Sequence, residues 1–166
     1  MTRKILVTAV LAAAVSTTAL AQDSATFNYP VLIPEVALEA AQAALTNCRD
    51  SGYQVAVAVV DRGGNTQVLL RDRFAGAHTP DTAVGKAWTA VSFRTNTTDL
   101  MDISQPGRPS SGIRDLPGVV ILGGGMLIEQ AGSIVGGIGV SGGPTGEADD
   151  ACAKAGIDKI RDKLAL

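Results

Sequence analysis

Residues 53–60 read Tyr-Gln-Val-Ala-Val-Ala-Val-Val, and no other stretch of this chain restricts its fold as strongly. A valine-dominated run that is apolar at nearly every position and too short for a buried helix is a strand covered on both faces. Any fold must therefore supply cover on two sides. The turn Asp61-Arg62-Gly63-Gly64-Asn65 follows, then a second strand over 66–71, and the pair reads as a hairpin.

Helices able to provide that cover flank the hairpin. Pro34 suits the first position of one, Glu35 falls in its first turn, and Ala37, Ala40, Ala41, Ala44, Leu45 and Cys48 recur at helical spacing up to Gly52. Thr79 can cap a second, with Pro80 first and Asp81 near its positive end; Val84, Ala87, Trp88 and Val91 form the stripe expected to pack on the sheet. A third spans 145–166. It carries Glu147, Asp149 and Asp150 early and Lys159, Arg161 and Lys163 late, with Ala148, Ala151, Cys152, Ala155 and Ile160 as its expected buried face.

Residues 22–33 lack periodicity and read as an extended lead-in, and 95–117 as a long connection of the kind that usually serves function. A strand over 119–122, bent by Gly123-Gly124-Gly125 and continued by 126–129, turns at Gln130-Ala131-Gly132 into another over 133–140. Hairpins in place of alternating βαβ units predict an α+β fold, an antiparallel sheet of about five strands flanked by helices.

Residues 1–21 are a different kind of segment. Arg3 and Lys4 precede an apolar run from Ile5 to Val15, and Ala19-Leu20-Ala21 closes it with small residues, the pattern of a secretory signal cut before Gln22. The remaining 22–166 are one domain's worth of chain, and loss of Arg3 and Lys4 takes the formal net charge from −2 to −4. A mildly acidic domain without a basic stripe is a poor partner for nucleic acid, and no later apolar run is long enough to span a membrane. The expected location is periplasmic or secreted. In an oxidising compartment Cys48 and Cys152 can form a disulfide; they can equally be two buried small hydrophobes that never meet.

Several motifs look like chemistry and are not. Gly137-Ile138-Gly139-Val140-Ser141-Gly142 spells a dinucleotide fingerprint, yet the chain ends 24 residues later in one helix, without the following strand and acidic residue such a site needs. These glycines more simply let backbone pass close to a neighbour. Gly139-Val140-Ser141-Gly142-Gly143 matches a nucleophile elbow, but a hydrolase of that kind places its histidine downstream and the single histidine, His78, is upstream. Ser141 is better read as a turn residue or helix cap. Asp99 with Asp102, and Asp149 with Asp150, could offer oxygens to a hard cation, although solvated surface is the commoner fate of such pairs.

His78 is the candidate metal ligand. It immediately precedes a helix start, where the positive helix end disfavours an imidazolium and leaves the neutral ring that binds metal. The plainer reading is a loop histidine bonded to backbone. Arg71, Arg73, Lys86 and Arg94 could pair with carboxylates of a bound acid or of porphyrin propionates, or simply be surface charges.

Four segments together resemble the GlcG/HbpS-like haem-binding family, also described as haem-degrading-domain proteins: 55–64, 83–90, 118–128, and 135–143 followed by 149–153. The similarity covers essentially the whole of 22–166, and Gly137-Ile138-Gly139-Val140-Ser141-Gly142 is its most specific piece. The resemblance implies a compact α+β domain, assembly into homo-oligomers, and haem or iron binding, sensing or handling in exported relatives. Many relatives carry an Arg-Met-Asp-Gly-Ala-type segment before the second helix. Here the run is Arg73-Phe74-Ala75-Gly76-Ala77-His78, so the thioether and carboxylate are missing and a histidine lies just beyond.

The functional expectation is an exported haem-binding protein, with His78 as axial ligand and Arg73, Lys86 or Arg94 near the propionates. No residue set defines a catalytic cycle. The alternative is an enzyme or binding module for a small organic acid, using the Gly-rich strand end, the last helix's N-terminus and the 95–117 connection.

Overall fold

The computed structural model describes residues 25–165, so the expected signal segment lies outside the described residues. Four helices, four strands and a short 3-10 turn follow in the order α1 (Pro34–Asp50), β1 (Ala56–Asp61), β2 (Thr66–Arg71), α2 (Thr79–Phe93), α3 (Thr97–Ile103), the 3-10 turn (Ser111–Asp115), β3 (Gly125–Gln130), β4 (Ser133–Ser141) and α4 (Gly146–Leu164). The strands form one antiparallel sheet in the order β2-β1-β4-β3. The α+β architecture predicted from the hairpins is therefore present, with four strands where about five were expected.

The apolar run 55–59, which leads into β1, conceals an alternation of size. Val55, Val57 and Val59 face α1 and α4 and join Ile128, Val135, Ile138 and Val140 in the main core. Ala56 and Ala58 face the other way and meet Ala83 of α2. Small side chains on that face let a single helix sit close to the sheet, while the large ones fill the wider gap beneath two helices. On the two-helix side, a methyl at Gly156 would come within 2.6 Å of Ala40 O, so α1 and α4 cross closely there. Cys48 and Cys152, from the facing surfaces of these helices, form a buried disulfide.

Glycines of β4 and β3 receive α2. Added methyls at Gly137 and Gly125 would come within 3.0 Å of Ala87 O and 2.5 Å of Lys86 O, and one at Gly139 would overlap the carbonyl of Ala83. The apparent dinucleotide fingerprint is thus a helix seat, as backbone approach through glycine requires.

Four expectations need correction. Residues 119–122 are not a strand: Val120 N donates to Thr89 Oγ1, and Gly124, at φ 110°, donates to Asp150 Oδ1, so the chain joins the sheet only at Gly125. The 95–117 connection contains α3 and the 3-10 turn. The deep face of α2 runs through Ala83, Lys86, Ala87 and Ala90, leaving Val84 and Trp88 half-buried, because the helix presses on glycines and is enclosed further round than one stripe. The buried face of α4 is Asp149, Cys152, Ala153, Gly156 and Ile160, while Ala151 is exposed; the rotation puts Asp149 inward against Lys86 and Gly156 against α1.

Candidate functional site

A cavity of about 600 Å³ opens where the first turn of α2, the end of β4 and the first turn of α4 converge. His78, Lys86, Ser141 and Asp149 line it, as do Met101 and Leu122, the latter 54% exposed.

The segment that carries His78 is fixed by its own backbone. Thr79 donates from both its amide and its hydroxyl to Gly76 O, and the His78 carbonyl accepts from Thr82 N and Thr82 Oγ1. His78, and not Thr79, is consequently the residue that flanks α2, and its side chain makes no cap. The imidazole is exposed, forms no hydrogen bond, and folds over Gly76. A methyl at Gly76 would come within 2.8 Å of Cε1 and 3.0 Å of Nδ1.

Lys86 reaches the same cavity from about two helical turns further along α2. Its Nζ lies 2.7 Å from Asp149 Oδ2 and 2.8 Å from Val140 O, with both members of the ion pair buried. Asp149 Oδ1 accepts from Gly143 N at 2.8 Å. One carboxylate therefore ties α2, α4 and the loop after β4 together. Asp150 performs a similar task beside it, accepting from Gly124 N and from Thr98 Oγ1.

The first turn of α4 is already served by the chain. Thr145 Oγ1 accepts from Ala148 N, so Thr145 and not Ser141 is the cap. Hydrogen bonds from its own amide and from the Thr145 hydroxyl hold the Glu147 carboxyl below its ordinary value. A carboxyl shifted this way stabilises the fold above its unfolded value and stops doing so as pH falls through the lowered one. Glu147→Gln is accordingly expected to lower the urea midpoint slightly at pH 7 and to leave it unchanged well below pH 4.5, the reference value. A series of urea titrations across that interval checks this.

The other expected site residues lie elsewhere. Arg73 borders a separate cavity of about 480 Å³ with Arg49, Gln54, Asp72 and Phe74, and Arg49 pairs with Asp72 there. Arg94 ends α2 in the left-handed region at φ 54°, about 24 Å along the helix from His78. Arg71 binds the Ala75 carbonyl. The structure thus brings His78 and Lys86 together and leaves Arg73 and Arg94 apart from them. Among the described residues, no three His, Cys, Asp or Glu side chains gather as metal ligands, and no helix is long and apolar enough to cross a membrane. Ser141 and Asp149 line the cavity, although the sequence favours a turn or cap for the first and solvated surface for the second. The elbow-like pattern pointed at Ser141 for the wrong chemistry, and nothing local distinguishes Asp149 from Asp150.

Residues 32–158 match a family model described as haem degrading protein HbpS-like. The crystal structure of HbpS superimposes with a TM-score of 0.76 at 38% identity, covering 81% of this chain and 93% of that one. A crystal structure of a PduOC:haem complex gives 0.74 at 32% identity, covering 78% and 95%. An uncharacterised 15.0 kDa protein from the dhaT-dhaS intergenic region of Citrobacter freundii is 35% identical over 120 residues, 71% of this chain and 84% of its own length.

Proposed function

This chain belongs to the HbpS-like family of haem-degrading proteins, and from that premise we propose that it is an exported, homo-oligomeric haem-binding protein whose His78 ligates the iron. The observation that carries the proposal is the His78 imidazole, exposed at a 600 Å³ cavity and without a hydrogen bond of its own. An imidazole nitrogen with a free lone pair is a common axial ligand of haem iron. The surroundings fit the group: Leu122 and Met101 offer apolar surface to a macrocycle, and Lys86 offers a cation to a propionate. The kinship with PduOC, crystallised with haem, supports the same reading.

Bound haem would supply redox-active iron. The chain's part is to hold and orient it. The hydrogen bonds among residues 76–82 fix the backbone from which the imidazole projects, and Met101 and Leu122 would offer apolar contact to the macrocycle. Lys86 gives two of its three N–H groups to Val140 O and Asp149, and the Thr82 hydroxyl donates to the His78 carbonyl.

Haemin titration tests the proposal. The wild-type protein is expected to produce a Soret band distinct from free haemin, and His78→Ala to abolish it. Gly76→Ala is expected to weaken binding by displacing the ring while leaving the fold intact, because only the flexible end of His78 stands in the methyl's way. A wild-type spectrum indistinguishable from free haemin sinks the proposal.

A further inference from the structure

The floor of the cavity holds two donors with unspent capacity. Side chains alternate along a strand, so Gly137, Gly139 and Ser141 share the α2 face of β4. Helix α2 rests on the first two, at Ala87 and Ala83. One step further along the row the helix has reached its first turn, and Ser141 looks into the cavity instead of onto helix backbone. Ser141 is 4% exposed, and its hydroxyl has no hydrogen-bond partner. The threonine hydroxyls in the same lining are committed: Thr79 to Gly76 O, Thr82 to His78 O, Thr98 to Asp150, and Thr145 to Ala148 N.

Lys86, 2% exposed, has three N–H groups and two acceptors, Val140 O and Asp149 Oδ2. Its third donor is free. Lys86 and Ser141 are also neighbours, since the carbonyl that Lys86 holds at 2.8 Å belongs to the peptide unit joining Val140 to Ser141.

Both residues line the cavity, so their unused N–H and O–H groups are available to an acceptor bound there. We infer that Lys86 and Ser141 form a carboxylate-anchoring subsite on the cavity floor, taking one carboxylate group of the ligand. The inference rests on the haem reading only in using the same cavity. The floor is a better seat than the end of α4, where Glu147 already uses the helix's donors and would repel a second carboxylate. Asp149 does not consume the subsite, because its two oxygens are already engaged by Gly143 N and Lys86. The shared chemistry admits two sources: a propionate of haem held through His78, or a free small carboxylic acid.

The test compares wild type, Ser141→Ala and Ser141→Thr in titrations with haemin and with haemin dimethyl ester, whose propionates carry no charge. Ser141→Ala removes a hydroxyl without a partner, so the fold should persist, and far-UV circular dichroism verifies it. Loss of a hydrogen bond to a charged group should weaken haemin binding about tenfold and leave the ester within about twofold. The Soret position should not move, since His78 is untouched, and Ser141→Thr, which keeps the hydroxyl, should restore most of the affinity. Equal losses for haemin and ester would reduce Ser141 to a packing contact; no loss would remove it from the site. Either result overturns the subsite. Should the wild type show no His78-dependent Soret band, the haem reading fails separately, and lactate and succinate titrations of ¹⁵N-labelled protein decide. Saturable shifts at Gly142 and Gly143 that disappear in Ser141→Ala would uphold the subsite, and their absence in the wild type would overturn it.

Discussion

Gly139→Ala is expected to destabilise the protein by about 3 kcal/mol or more, a large share of the stability of a domain this size. The added methyl would overlap the Ala83 carbonyl oxygen and come within 2.8 Å of Ala87 N and 3.0 Å of Ala83 C, all backbone atoms of α2. A flexible side chain could swing aside, but a helix backbone cannot without lifting as a unit. Lifting α2 would open the packing of Ala83 on Ala56 and Ala58 and of Ala87 on Val60, and would pull Lys86 away from Asp149. Urea unfolding followed by far-UV circular dichroism measures the effect. Gly112→Ala is the control, because a methyl there meets nothing within 4 Å, and it should shift stability by less than about 0.5 kcal/mol. A Gly139→Ala midpoint equal to that of wild type would show that α2 is not seated through this glycine.

That glycine also marks how far the fold could be read from residues alone. The two-sided cover of β1 was legible because one run of eight residues carries it. The bounds of β2 were legible because a turn and a strand pattern adjoin. The strand expected over 119–122 failed for a non-local reason. Val120 and Gly124 satisfy their amides with Thr89 and Asp150, side chains 31 and 26 residues away, and no local pattern announces such partners. The same limit explains the α4 face. Periodicity favoured alanines, and only the position of Lys86 on another helix makes Asp149 the inward residue.

The candidate site divides in the same way. His78 was legible as the single histidine beside a helix start, and Lys86 as one basic residue among several. Arg73 and Arg94 looked comparable in sequence, but they flank α2 on other sides: one belongs to the turn after β2 and the other to the far end of the helix. Ser141 was visible as a motif element and opaque in role. Its importance comes from where α2 begins relative to the Gly137, Gly139, Ser141 row, a relation between two elements far apart in the chain.

Lys86→Met is expected to cost about 3–5 kcal/mol, because it leaves the buried Asp149 carboxylate without its cation. Methionine preserves most of the stem's packing, so the loss reports the charge and not a cavity. The carboxylate would retain only Gly143 N as a donor, and the end of β4 would lose its tie to Lys86 of α2 through Val140 O. Removing the second charge as well should reverse most of the damage. In Lys86→Met/Asp149→Leu no buried ion is left unpaired, and the remaining deficit is the loss of one partner each by Gly143 N and Val140 O, about 1–2 kcal/mol. Urea midpoints for wild type, Lys86→Met, Asp149→Leu and the double variant form a double-mutant cycle, in which strong coupling between the two positions is the expected outcome. A double variant no more stable than the worse single would mean that the pair does not act as a unit. The double variant also separates folding from binding: it should be folded yet lack a cation on the cavity floor, and so bind haemin more weakly than wild type with its His78-dependent Soret band retained.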